Sequence, residues 1–105
     1  MQNMNMNKMM KQVQQMQKQM AKAQEELAHE EVEASAGGGM VTAKVTGDLR
    51  ITSIKIDPGA VDPDDVEMLE DMVLAATNEA LRAAQERASQ KLGGLTGGLN
   101  LPGIM

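Results

Sequence analysis

The 105-residue chain has no cysteine and no phenylalanine, tyrosine or tryptophan. Without thiols it cannot form disulfides, anchor a thiolate zinc site or offer a cysteine nucleophile. Without aromatics, its core must be assembled from Met, Leu, Ile, Val and Ala. A chain this short buries only a modest share of its surface, so a lone monomer is marginal and a homodimer is expected. Long apolar runs are missing too. The opening MQNMNMNKMM lacks the hydrophobic stretch of a signal peptide, and no later segment is fit to span a bilayer. The expected address is the cytoplasm, with no membrane partner.

Acidic residues are absent from positions 1–24, which carry Lys8, Lys11, Lys18 and Lys22. Fourteen acids crowd residues 25–81 against Lys44, Arg50 and Lys55, and the remainder holds Arg82, Arg87 and Lys91 against Glu86. The overall charge of −5 therefore conceals two basic ends around an acidic middle. Such asymmetry is a better guide to partners than the total.

What is present is periodic. Met6, Met9, Val13, Met16, Met20, Ala23 and Leu27 are spaced 3, 4, 3, 4, 3, 4, a heptad stripe that predicts a long helix over about residues 5–30 with a packing seam. Val32, Ala34 and Ala36 then alternate with polar residues, and Gly37-Gly38-Gly39 makes a turn. Val41, Ala43 and Val45 form a second strand. Gly47-Asp48 reads as a two-residue hairpin turn, leading to a third strand over 49–56. There Leu49 and Ile51 are out of phase with Ile54 and Ile56, so either a bulge lies near Thr52-Ser53 or both faces are covered. Asp62 as N-cap, Pro63 at the first helical position and Asp64, Asp65 and Glu67 behind them announce a second helix. It is expected to reach Leu92 and stop at Gly93-Gly94. The organisation expected is α+β: one domain over 1–92, with a long N-terminal helix, a three-stranded antiparallel sheet and a long C-terminal helix, then a flexible Gly-rich tail over 93–105. An odd strand count sends the second helix back across the sheet. Its bulky half is expected on the sheet and its Ala-rich half beside helix one, with the two basic segments meeting at the tip of a projecting arm.

Enzymatic constellations are missing. Ser35, Ser53 and Ser89 have no base in their sequence context, His29 is the lone histidine and reads as a surface residue, and the glycine triplet lacks the lysine and following helix of a P-loop. Asp62, Asp64, Asp65, Glu67, Glu70 and Asp71 lack the glycine and alternation of a calcium loop, and capping with solvation accounts for them. The methionines read as a packing seam rather than a metal site. No catalytic residue, metal, cofactor or small-molecule substrate is expected. The lysines are different. At 100° per residue, Lys8, Lys11, Lys18 and Lys22 share an arc of about 80° roughly opposite the methionine seam, with Gln15 and Gln19 in or beside it. Ammonium groups among neutral amides, without carboxylates between them, suit a phosphate backbone.

The stretches MKQVQQMQKQMAKAQEELA, VTGDLRITSIKIDP and EMLEDMVLAATNEALRAAQE, with the ending LNLPG, resemble the YbaB/EbfC family of nucleoid-associated proteins across nearly the whole chain. The resemblance implies a tweezer-like homodimer with projecting helical arms that binds double-stranded DNA, alters its conformation, and influences nucleoid organisation and gene expression. The positions matching the family's basic and polar arm residues are Lys8, Lys11, Gln15, Lys18 and Lys22, with Arg82, Arg87 and Lys91 from the second helix. The acidic body departs from a surface that DNA would wrap. The competing reading is a prefoldin-like coiled-coil chaperone or adaptor, in which the methionine seam would hold unfolded chains.

Overall fold

The computed structural model describes residues 2–97, with side-chain environments for residues 6–95. Helix α1 spans Gln2–His29, followed by strands β1 (Glu31–Ala36), β2 (Val41–Thr46) and β3 (Ile51–Ile56). A single 3-10 turn over Pro58–Ala60 leads to helix α2, Val66–Gly97. The expected α+β order of helix, three antiparallel strands and helix is what the chain adopts, with strand order β1-β2-β3.

β1 alternates as its sequence demands, with Val32, Ala34 and Ala36 half-buried and Glu31, Glu33 and Ser35 in solvent. On β2, Val41, Ala43 and Val45 are fully buried and meet Ala76, Ala80 and Ala84 of α2, with Leu69, Met72 and Val73 packed around them. The alanines recur every four residues, a single row along one helix face. Small side chains there let the helix axis approach the sheet closely. The sheet contact therefore includes the Ala-rich stretch that was expected against helix one.

The phase conflict in β3 resolves as a bulge. Lys44 pairs with Ser53 but Val45 pairs with Ile51, leaving Thr52 as the extra residue; its hydroxyl reaches toward the Lys44 carbonyl at 3.4 Å. Skipping one residue brings Ile51 into phase with Ile54 and Ile56. All three pair with buried β2 residues and so lie on the face that α2 covers over β1 and β2. β3 itself is left exposed along its whole length.

Three boundaries differ from expectation. The β2–β3 connection is a three-residue loop, Gly47-Asp48-Leu49, closed by Leu49 N–H donating to the Thr46 carbonyl (2.9 Å) and Thr46 N–H to Arg50 (2.8 Å). Leu49 takes the left-handed conformation at φ 68, the geometry of a type I turn followed by a bulge residue. Gly47 is present for space, since an added Cβ would lie 2.5 Å from the Leu27 carbonyl oxygen. α2 begins at Val66, not Pro63. Asp62 accepts from Asp64 N–H (2.9 Å) and its carbonyl from Asp65 N–H (2.9 Å), so Pro63 sits inside a turn, where its fixed φ is equally at home. The cap is Asp65, whose carboxylate accepts from Met68 N–H at 3.2 Å. At the far end, α2 passes through Gly93-Gly94 to Gly97. Glycine weakens a helix without forbidding it, and Leu92 and Leu95 on either side of the pair are half-buried. The rest of the expected tail, residues 98–105, lies outside the described residues.

Candidate nucleic-acid interface

The C-terminal end of α1 is tied down by backbone hydrogen bonds. Gly47 N–H donates to the carbonyls of Leu27 (2.8 Å) and Glu30 (3.0 Å), so the hairpin loop satisfies acceptors that the helix end leaves open. Leu27 and Ala23 are buried and Met20 is half-buried. The last third of α2 runs antiparallel beside this segment. Arg87 bonds Glu30 at 3.3 Å, and Lys91 bonds both Glu26 and Glu30 at 3.1 Å.

Beyond Met20 the stripe loses its cover. Exposure rises along one helix face from 3% at Leu27 to 37% at Met16 and 64% at Met9. At 1.5 Å per residue α1 is about 42 Å long and α2 about 48 Å. With an overlap of roughly ten residues they account for the 76 Å long axis of the molecule. The N-terminal portion of α1, about 27 Å, thus projects as a single helix. The expectation that both basic segments meet at the arm tip is not met. α2 reaches only the base of the arm, because its first turns are spent crossing the sheet.

This geometry divides the cations. Lys8, Lys11 and Lys18 are exposed on the projecting part of α1, and Lys22 is exposed at its base. Among the described residues the ion pairs involve none of them. Gln15 is exposed beside them. Arg82 is bound instead to Glu79 (2.7 Å) and Glu86 (3.1 Å) on its own helix. The Arg87 guanidinium, and then the Lys91 ammonium, hydrogen-bond Glu30 and hold its carboxyl below its ordinary value. In return, Glu30 and then Glu26 raise Lys91. Arg87 and Lys91 therefore fasten α2 to α1. The sequence contained a signal for this: Glu26 on α1 and Glu30 just past its end are four residues apart, as Arg87 and Lys91 are on α2. Only the antiparallel overlap brings the two sets together.

A second surface escaped sequence reasoning. Ile51, Ile54 and Ile56 form an exposed apolar face on β3, between 38% and 48% accessible. The bulge that aligns them could not be chosen from sequence alone.

The chain thus combines an acidic α+β body with a protruding helix that carries lysines and no carboxylate. Residues 1–99 match the YbaB/EbfC DNA-binding family, and the chain belongs to that family, which is nucleoid-associated and not a family of enzymes. It is 58% identical over 100 residues to a nucleoid-associated protein of Alkaliphilus metalliredigens, covering 95% of this chain and 88% of the relative. It is 57% identical to one from Pelotomaculum thermopropionicum, covering 95% of each. The fold also matches the crystal structure of an uncharacterized protein from Helicobacter pylori, with TM-score 0.74, 19% identity, and coverage of 84% of this chain and 92% of that one. No helix among the described residues is long and apolar enough to cross a membrane.

Proposed function

We propose that the chain binds double-stranded DNA through the lysine-bearing face of α1, with little dependence on base sequence, and that it does so as a homodimer, altering DNA conformation in the nucleoid and thereby gene expression. The observation that carries this reading is the set Lys8, Lys11, Lys18 and Lys22, exposed on one helix with no carboxylate partner among the described residues. Ammonium groups so placed neutralise phosphates and release counterions, a sequence-independent source of affinity. Gln15 adds amide donors to the same face. Arg82, Arg87 and Lys91 are spoken for by carboxylates and contribute less. Family membership supports DNA as the partner. The exposed isoleucine face of β3 supports the dimer, because a three-stranded sheet with an uncovered apolar edge strand gains from burial against a second copy.

The test is a pair of gel-shift titrations with random-sequence duplex at several salt concentrations. Reversing Lys11 and Lys18 to Glu is expected to weaken binding about a hundredfold or more at low salt, since each lost phosphate contact also removes about 0.9 from the log–log salt slope. Reversing Lys44 and Lys55 on the acidic body should change it little. Loss of binding in the strand variant, with retention in the helix variant, would overturn the arm assignment. Light scattering that gives the mass of one chain at micromolar concentration would overturn the dimer.

One observation favours the chaperone reading: the exposed methionines at 6, 9, 10 and 16 form the flexible apolar surface that a holdase uses. Suppression of aggregation of a model substrate by the Lys11→Glu, Lys18→Glu variant, together with absent DNA binding by the parent, would favour it.

A further inference from the structure

We propose that the distal half of α1 is also an interaction surface for a second copy of itself, two arms pairing along Met6, Met9, Val13 and Met16. The spacing of these residues continues without interruption into Met20, Ala23 and Leu27, the part of the same seam that already packs within the chain. A 3.5-residue period maintained past the last internal contact is what a coiled-coil partner requires and what a solvated helix does not. The segment also needs support. About 18 residues of α1 project beyond the overlap with α2 without the tertiary packing of an amphipathic face that supplies most helical stability in proteins.

The charges select a like partner. With Met6, Val13 and Met20 at heptad position a and Met9 and Met16 at d, the flanking e and g positions hold Met10, Gln12, Gln17 and Gln19, all uncharged. Lys8 and Lys22 fall at c, and Lys11 and Lys18 at f, on the outer side. Two copies therefore meet without bringing lysines together. An acidic peptide would be drawn to the opposite face, away from the apolar stripe. Pairing also turns the two lysine faces outward on opposite sides of the coil. Given the DNA reading, that arrangement holds two duplexes apart and bridged rather than encircling one. The pairing itself does not rest on that reading.

The absence of native cysteine makes the test direct. Met9→Cys, Val13→Cys and Met16→Cys are placed on the stripe of the full chain, and Lys18→Cys on the outer face. Each is oxidised without DNA by copper–phenanthroline, singly and with Met9→Cys mixed with Met16→Cys, so that parallel and antiparallel pairings are both covered. At least one stripe combination is expected to form covalent dimer ten times faster than Lys18→Cys. These sites are exposed, so melting temperatures should match the parent and show that each variant is folded. Stripe rates no faster than the outer-face rate overturn the proposal. So does cross-linking that requires a chain ended after Gly97, because the tail would then be the stripe's occupant. Persistence of cross-linking in a Val13→Cys chain that also carries Lys11→Glu and Lys18→Glu keeps the proposal standing even where DNA binding is lost.

Discussion

The two halves of α1 share one periodicity, yet they behave as different materials. From Met20 onward the apolar stripe is covered by α2 and by the β2–β3 loop, the carboxylates of Glu26 and Glu30 hold Arg87 and Lys91, and the helix end is capped by Gly47. From Met16 toward the N-terminus the same stripe faces solvent, and the lysines have no acidic neighbours. The proximal half has its carboxylates in ion pairs with α2, and the distal half carries lysines with no ion pair among the described residues. Charge alone does not make a binding residue. Among the described residues Arg82, Arg87 and Lys91 pair with carboxylates and the four lysines of α1 do not, and the proposed function rests on that distinction.

That contrast is broken most directly by mutation within the stripe. Leu27→Ala should destabilise by about 2–5 kcal/mol, as large-to-small changes at buried sites do. Met9→Ala should leave unfolding of the body within about 0.5 kcal/mol. Equal losses in urea denaturation would show that the halves are energetically alike. Gly47→Ala tests the same junction from the loop side. Its Cβ would press on the Leu27 backbone, so a loss near the upper end of the roughly 1–3 kcal/mol seen for overpacking is expected. A neutral result would mean that the α1 end is not held there.

The next largest effect separates the two kinds of cation. Lys18→Met should reduce the salt slope of DNA binding by about 0.9 for each phosphate released. Lys91→Met should leave that slope unchanged and lower the melting temperature instead. Reversed outcomes would place the DNA contact at the base of the arm. Smaller still, Gly93→Ala and Gly94→Ala should each stabilise by about 0.4–1 kcal/mol, because both lie within the helix with open space around an added Cβ. A loss on thermal melting would mean that α2 ends earlier.

The smallest effect is in pH. Glu30 is held below its ordinary value, so its contribution is present above the unfolded carboxyl's pKa and is lost as pH falls through the folded one. Lys91 is raised, so its contribution is complete below the ordinary lysine value and is lost as pH rises through the folded one. Stability from this cluster should therefore be flat between the carboxylate and lysine ranges. Lys91→Met should shallow the acid limb of a melting-temperature profile, and an unchanged limb would show that these partly solvated pairs add nothing measurable.

The elements were legible where local chemistry specifies them. Alternation placed Val32, Ala34 and Ala36 on one face of β1, and the heptad placed α1 within three residues of its observed start. Cap chemistry was read correctly as a helix start but one turn early, because Asp62-Pro63 satisfies a turn as well as an N-terminus. The lysine face could be drawn from sequence because helix angle alone defines it. The ion pairs of Arg87 and Lys91 could not, because their partners lie 57 to 65 residues away and depend on where α2 crosses the sheet.

What the sequence by itself determined is thus the inventory: two helices, three strands, a cationic stripe without acids, and an apolar stripe opposite it. Periodicity and charge order are local properties, set by side chains a few residues apart. Tertiary structure decided which part of each stripe is consumed by packing. α2 has a finite length, and the portion needed to cover β1 and β2 leaves only its last third for α1. The overlap therefore ends near Met20, and distal to it three lysines, Lys8, Lys11 and Lys18, lie exposed on one side of the helix and four apolar residues of the seam on the other.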